Sequence, residues 1–306
     1  MRVLVTGGAG FIGSNLVRRL LADGDEVVVI DDLSTGYAHN LAGLPVQFVE
    51  ASILDQQALA AAASGVDAIA HLAALGSVPR SVKDPMASHH ANATGTLMVL
   101  EAARREGAYV TAASSSSVYG SVPDLPRTEA LPTRPMSPYA ASKLATESYV
   151  LAYGTSYGLP TLPFRFFNVY GPRQAAGHVY AAVIPMFIDA ALNGQPLPLN
   201  GDGQQSRDFT FVDTVTWVLA NAIHRKVSSD VPVNLAIGAN VTLLDLIAEL
   251  EGQLGHNLQV EHRPERVGDV RASQSDPVLL RELFPDVPVV PFTEGLASTL
   301  AWFRSA

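Results

Sequence analysis

Cysteine is absent from the 306 residues, which excludes disulfides, thiolate metal sites and a cysteine nucleophile. Charge is scarce as well. Asp, Glu, Lys and Arg make up 16% of the chain, against about 25% in an ordinary globular protein, while 48% of the residues are apolar. That balance is wrong for a disordered polymer and right for a chain that buries a large core. Positive charge is not in excess: 20 Lys plus Arg against 29 Asp plus Glu leave a net charge of −9. With no basic run to follow a phosphate backbone, nucleic acid is not the expected partner. No apolar stretch reaches the ~18 residues of a membrane span, and the N-terminus lacks the zones of a secretory leader. A cytoplasmic protein without membrane association is expected. Among the eight histidines (39, 71, 89, 90, 178, 224, 256 and 262) there is no i, i+4 pair and no His-Glu-x-x-His, so no metal is expected.

What the chain does contain is alternation. From Arg2 to about Val169, short β-branched runs alternate with longer Ala/Leu-rich stretches, as in βαβ units over a parallel sheet. Val3 to Val5, Glu26 to Ile30, Val46 to Val49, Ala68 to Leu72, Tyr109 to Ala113 and Leu162 to Phe167 read as buried strands, and 13–22 as the first helix. After Gly171-Pro172 the texture becomes rich in Pro and Gly, as in residues 196–203, which marks a smaller second lobe. Pro232 to Ile237 reads as a strand returning to the first lobe. The expected fold is α/β, a doubly wound Rossmann sheet with a smaller C-terminal α/β substrate-binding lobe. Its expected division is residues 1–170, rejoined by 211–240, and an interleaved lobe in 171–306.

Thr6-Gly7-Gly8-Ala9-Gly10-Phe11-Ile12-Gly13 lies between the first strand and the first helix, where a dinucleotide pyrophosphate meets helix N-terminal amides. Glycines serve there because a Cβ would block the tight turn, the approach of phosphate oxygens and the packing of helix on strand. Eighteen residues after Gly13, Asp31 ends the second strand, placed to accept from the adenosine ribose hydroxyls and to repel a 2′-phosphate. NAD is therefore expected over NADP.

Ser137-Pro138-Tyr139-Ala140-Ala141-Ser142-Lys143 reads as a helix start, with Ser137 as N-cap and Pro138 in the first helical position. Tyr139 and Lys143 then share one face. A phenol titrates near ~10 and is a poor base at neutral pH unless a cation favours the phenolate, a charge that Lys143 can supply. Nine tyrosines and three lysines give this spacing by chance roughly 0.1 times, so its weight comes from the glycine loop upstream.

Thr-Gly-x-x-Gly-x-x-Gly together with Tyr-x-x-x-Lys resembles the extended short-chain dehydrogenase/reductase superfamily and its NAD-dependent epimerase/dehydratase family. Ala74 to Ser81, Asn168-Val169-Tyr170-Gly171-Pro172-Arg173-Gln174, Tyr180 to Pro185, Asn200 to Gly203 with Ser206 to Phe209, and Gly268-Asp269-Val270-Arg271 narrow the resemblance to the UDP-hexose 4-epimerases, most closely the UDP-N-acetylglucosamine branch. The resemblance implies that Tyr139 is the general base or acid at the sugar 4-hydroxyl, that Lys143 tunes it, and that Ser115 bonds the same hydroxyl. It implies NAD contacts from Gly7, Gly10, Phe11, Ile12, Gly13, Asp31, Asp32, Ser34, Thr35, Gly36, Ser52, Ile53, Leu72, Ala73, Ala74, Asn92 and Phe167, besides Tyr139 and Lys143. UDP-sugar contacts are implied for Ser77, Ser115, Ser116, Tyr139, Asn168, Gln174, Ala182, Val183, Arg207, Arg266, Asp269 and Ser273. Two arginines suit a diphosphate on chemical grounds, because the guanidinium fork matches phosphate oxygens; a local ion pair of Arg207 with Asp208 is the plainer alternative. The implied reaction oxidises C4 to a 4-keto sugar and returns the hydride to the other face. The helices in 92–106 and 138–156 are implied to pair across a two-fold in a homodimer.

Departures from the relatives discriminate among reactions. The dehydratase segment that resembles Thr-Asp-Glu-Val-Tyr-Gly reads Ser115-Ser116-Ser117-Val118-Tyr119-Gly120 here, and two serines do not supply the acid and base that elimination of water needs. Ala175-Ala176 stand where uronate 4-epimerases carry an arginine, which disfavours UDP-glucuronate. Ser273, at the position of a size gate near C2, implies room for an N-acetyl group, hence UDP-GlcNAc/UDP-GalNAc with UDP-Glc/UDP-Gal as a second pair. A strict UDP-glucose 4-epimerase, a UDP-glucuronate 4-epimerase and, more remotely, a non-catalytic NAD-binding sensor are the alternatives. Ser52 replaces the usual acid at the adenine, so a weaker adenine contact is expected. A serine hydrolase is excluded by the lack of a Gly-x-Ser-x-Gly elbow.

Overall fold

The structure, a computed structural model, describes residues 1–176, 182–264 and 271–305. Its strands are β1 (Arg2–Thr6), β2 (Glu26–Asp31), β3 (Gln47–Glu50), β4 (Ala68–His71), β5 (Tyr109–Ser115), β6 (Thr161–Phe166), β7 (Asn168–Tyr170), β8 (Leu197–Asn200), β9 (Ser206–Arg207), β10 (Phe209–Phe211), β11 (Val233–Leu235), β12 (Val241–Thr242) and β13 (Val260–Arg263). The helices used below are α1 (Phe11–Ala22), α2 (Gln56–Ala63), α3 (Val78–Lys83), α4 (Pro85–His89), α5 (Gly95–Glu106), α6 (Pro138–Tyr157), α7 (Val183–Leu192) and α8 (Val212–Arg225).

Seven parallel strands form the main sheet in the order β3-β2-β1-β4-β5-β6-β11. The chain leaves β1 toward one edge and resumes at β4 on the other side, so the C-terminal ends of β1 and β4 flank the switch point where open α/β sheets bind ligands. Apolar strands such as Val27 to Ile30 are buried on both faces, as a sheet covered by helices on each side requires. One face packs on α1 and α8, the other on α2, α5 and α6. A third apolar cluster gathers β7, β8, β10 and α7 around Tyr170, Phe187 and Phe209.

Two local differences from the sequence expectation have a physical reason. The first helix begins at Phe11 rather than 13, because Gly10 is its N-cap and already accepts from Ser14 N. The helix expected over 92–106 starts as a π turn, His90–Thr94, and becomes regular only at Gly95. Asn92 lies within that π turn. Gly95 permits this crowding, since a Cβ there would lie 2.5 Å from Ile53 Cδ1. The segment at 232–237 adds β11 to the sheet edge beside β6. Among the described residues no helix is long and apolar enough to cross a membrane.

Candidate active site

A cavity of 1310 Å³ opens along the C-terminal ends of the sheet. Single ligands of ordinary size occupy about 300–1,000 Å³, so this one has room for two molecules side by side.

The glycine loop forms one end. Gly7 has φ +71, and a Cβ there would stand 2.8 Å from Ala73 Cα; at Gly13 a Cβ would stand 2.2 Å from Gly7 O. Both glycines close the turn onto its neighbours. Gly10 differs: its Cβ would meet only Gly7 O, at 3.2 Å, and otherwise open space. Gly7, Gly10, Phe11, Ile12 and Gly13 all line the cavity. Helix α1 has no side-chain cap and no acid in its first turn, so its free N–H groups and positive dipole end are available to an anion.

Asp31 stands at the end of β2 and accepts from Ala9 N and Leu33 N, both at 2.9 Å, one on each oxygen. Burial pushes its carboxyl up, against those two backbone bonds. Each oxygen keeps a lone pair for a hydroxyl donor. Asp32, Ser34, Thr35, Ser52 and Ile53 complete this wall. Ser52 Oγ accepts from Leu54 N at 3.2 Å, leaving its own proton to donate. Gly36 is off the wall, packed where a Cβ would lie 2.9 Å from Ala9 C.

Leu72, Ala73 and Ala74 follow β4 and line the cavity, as does Ser77, the N-cap of α3. They are held from behind. Thr6 Oγ1 accepts from Leu72 N and Ala73 N at 3.2 Å and pairs with His71 Nδ1 at 2.9 Å, while His71 Nε2 meets Thr96 Oγ1 at 3.0 Å. Burial first and the charge of Lys143 second push His71 down to about 3, so the ring is neutral. Asn92, expected on the wall, lies one layer behind it. Its Oδ1 accepts from Leu75 N at 2.8 Å and its Nδ2 donates to Ser142 Oγ at 2.9 Å, tying the loop after β4 to α6.

Ser115, Tyr139 and Lys143 converge on the cavity. Ser137 caps α6 by accepting from Ala140 N at 3.1 Å, which starts the helix one residue before Tyr139. Burial pushes the Tyr139 phenol up, and Ser115 beside it opposes the shift. Lys143 Nζ donates to Ala113 O at 2.8 Å, and burial lowers it to about 8. Ser117 Oγ donates to Ser115 Oγ at 2.9 Å. Ser116 does not line the cavity.

Phe167, Asn168, Gln174, Ala182, Val183 and Arg207 line the remaining wall. Gln174 Nε2 donates to Val169 O at 3.2 Å, while its buried Oε1 has no partner among the described residues, an acceptor left for a ligand donor. Arg207 Nη1 donates to Ser206 O at 2.8 Å. The Asp208 carboxylate is turned to the backbone instead: it accepts from Gly238 N, Ala239 N, Ser275 N and Ser275 Oγ at 3.1, 3.1, 2.9 and 2.6 Å. Ser273 is not on the cavity wall among the described residues; it is buried, its N–H donating to Ser206 O at 3.2 Å. Arg266 and Asp269 lie outside the described residues. Sequence reasoning missed Arg173, Asn200 and Gln205, all on the wall. Arg173 and Asn200 sit inside the motifs that carry the family resemblance, so that signal was present; Gln205 carries none.

Residues 3–238 match the sequence model of the NAD dependent epimerase/dehydratase family. The chain is 40% identical over 312 residues to a UDP-glucose 4-epimerase of Mycolicibacterium smegmatis, covering 100% of this chain and 99% of the relative. The solved UDP-N-acetylglucosamine 4-epimerase of Methanobrevibacter ruminantium M1, in complex with UDP-N-acetylmuramic acid, superposes with TM-score 0.94 at 36% identity, over 99% of this chain and 98% of that one. A Thermus thermophilus UDP-glucose 4-epimerase in complex with NAD gives TM-score 0.90 at 38% identity, over the whole of both chains.

Proposed function

The chain belongs to the NAD dependent epimerase/dehydratase family, and on that premise we propose that it is a UDP-sugar 4-epimerase, interconverting UDP-GlcNAc with UDP-GalNAc and UDP-Glc with UDP-Gal. The observation that carries this reading is the convergence of Ser115, Tyr139 and Lys143 on a cavity with room for two ligands. The residues present fit NAD. Open space at Gly10 and the free amides of α1 suit a diphosphate, and the remaining lone pairs of Asp31 suit ribose hydroxyls. When bound, NAD supplies the hydride acceptor and donor that chemistry at a sugar carbon needs.

The chain's own residues handle the proton. Tyr139 Oη removes it from the 4-hydroxyl and returns it after the 4-keto sugar has turned its other face; Ser115 orients the same oxygen. Burial alone would keep the phenol protonated, so the ammonium of Lys143 on the same helix face is needed to favour the phenolate. Arg207 and Gln174 hold the nucleotide end of the substrate. Ser116 and Ser117 offer no carboxyl for the extra proton transfers of a dehydratase. Among the described residues the expected gate at Ser273 lies off the wall, and support for N-acetylated sugars comes from the likeness to the solved UDP-N-acetylglucosamine 4-epimerase. We further propose a homodimer through α5 and α6, where Tyr149 is 38% exposed; light scattering at twice the 32.4 kDa chain mass checks it.

The test is to incubate the purified protein with UDP-GlcNAc and with UDP-Glc, with NAD supplied, and follow the C4 proton by NMR. Conversion of both is expected. Conversion of UDP-Glc alone makes it a strict UDP-glucose 4-epimerase; conversion of neither sinks the proposed reaction.

A further inference from the structure

Three consecutive residues of β5 face three consecutive turns of α6. Ala113 O accepts from Lys143 Nζ at 2.8 Å, Ser114 Oγ donates to Glu147 Oε2 at 2.9 Å, and Ser115 stands beside Tyr139 on the cavity wall. Tyr139, Lys143 and Glu147 are spaced by four, so they form one slowly turning stripe along the helix. Two of the three are accounted for by the chemistry. Glu147 is not, and it is a buried acid eight residues from the phenol. Its carboxylate is clamped by Arg165, Nε to Oε2 at 2.9 Å and Nη2 to Oε1 at 2.6 Å, with both side chains only 4% exposed. Arg165 in turn lies on β6 and stacks over the Tyr119 ring at 4.7 Å.

We propose that Glu147, held by Arg165 and Ser114, is the positioning residue that fixes the rotation of α6 against β5, and so the aim of Tyr139 at the sugar hydroxyl. The proposal rests on the roles given above to Tyr139 and Lys143. A helix can rotate about its axis while keeping its own hydrogen bonds, and on its other flank α6 is held by single neutral bonds, Asn92 to Ser142 and Thr96 to Thr146. A bidentate ion pair with a fixed fork resists rotation strongly. Because β5 carries Ser115 next to Ser114, locking Glu147 onto Ser114 fixes helix and strand to each other at the point where the reacting oxygen is oriented.

Removing one partner of a buried ion pair leaves a naked charge and can unfold the protein, whereas replacing both by apolar groups of similar volume often preserves stability. The experiment therefore compares two double variants with NAD supplied: Glu147→Leu with Arg165→Met, which lacks the contact to Ser114, and Glu147→Gln with Arg165→Met, which restores it without a charge. Melting temperature, kcat and KM are read for both. The Leu double is expected to lose roughly 10- to 100-fold in kcat with KM within about twofold, and the Gln double to recover most of it at similar melting temperature. Equal kcat in the two doubles, or a loss carried by KM, overturns the proposal. Ser114→Ala, which leaves the ion pair intact, probes the same contact without touching a buried charge: a several-fold fall in kcat at unchanged melting temperature is expected, and wild-type kcat overturns the proposal. Tyr139→Phe is run alongside. If it stays active the reading of the site falls and this proposal with it; if it is inactive while the Leu double keeps wild-type kcat, the positioning role alone falls.

Discussion

Lys143 carries a charge that its surroundings oppose. Burial lowers it to about 8 in the folded protein, against about 10.4 for an exposed lysine. Its folded value lies below its unfolded one, so the unfolded chain binds more protons between those two pH values, and this residue's contribution to stability rises with pH across that window. At pH 7 the full cost applies, about 3 kcal/mol from the difference in pKa. Lys143→Met removes it and loses the bond to Ala113 O, worth about 1 kcal/mol. The variant is expected to melt a few degrees higher than the parent by calorimetry while losing roughly 100-fold or more in kcat. On the proposed roles the same titration sets an alkaline limit for the parent: kcat/KM is expected to fall as pH rises through about 8, where the ammonium proposed to favour the Tyr139 phenolate is lost. A profile flat to about pH 10 would show that the charge of Lys143 does not matter to the phenol.

The turn from β1 into α1 separates two roles that its glycines share in sequence. Gly13→Ala puts a Cβ 2.2 Å from Gly7 O and 2.8 Å from Gly8 Cα, where backbone must move, so a marked fall in melting temperature is expected. Gly10→Ala meets only Gly7 O at 3.2 Å, and the rest of the new methyl faces the cavity. That variant is expected to melt within a few degrees of the parent and to lose NAD affinity by ten-fold or more, measured by calorimetric titration. Equal affinity in Gly10→Ala and parent would place the diphosphate elsewhere. This element was legible in the sequence because its signal is local: a β-branched run, a glycine spacing and an acid at the next strand end are all set by neighbours along the chain. Asn92 was legible only as belonging near the cofactor. Its actual task, bonding Leu75 and Ser142, depends on contacts 17 and 50 residues away and on a π turn that no periodicity announces. Glu147 had a signal, an acid on the buried stripe of α6, but its meaning needed Arg165 and Ser114 from two other strands.

Across the whole molecule, β5 and α6 carry the groups proposed to move protons, and the strands beyond Gly171 bring the arginine proposed to hold the substrate's far end. The seven strands answer to runs readable in the sequence, including the one that returns as β11, while their order is a finding of the structure. The seating of Arg207 answers to no such run, because it depends on Asp208, which gathers the chain after β11 and the segment around Ser275 onto one fully buried carboxylate. The sequence offered an ion pair between adjacent residues, while the structure commits that acid to three backbone N–H groups from distant segments. Ser275 is buried, and the carboxylate is the partner of its N–H and hydroxyl, so an amide in place of the acid turns one NH₂ against these donors. Asp208→Asn is therefore expected to lower the melting temperature by several degrees and to let β9 shift with its arginine. Tyr139, Lys143 and Ser115 sit on β5 and α6 and share none of these bonds, and the glycine loop lies between β1 and α1. The loss should accordingly appear in KM for the UDP-sugar, roughly ten-fold, with kcat within a few-fold and NAD affinity unchanged, since an interaction that holds substrate and transition state alike changes KM alone. A fall in kcat with KM intact would mean that Arg207 and its strand bear on the reacting carbon rather than on the nucleotide.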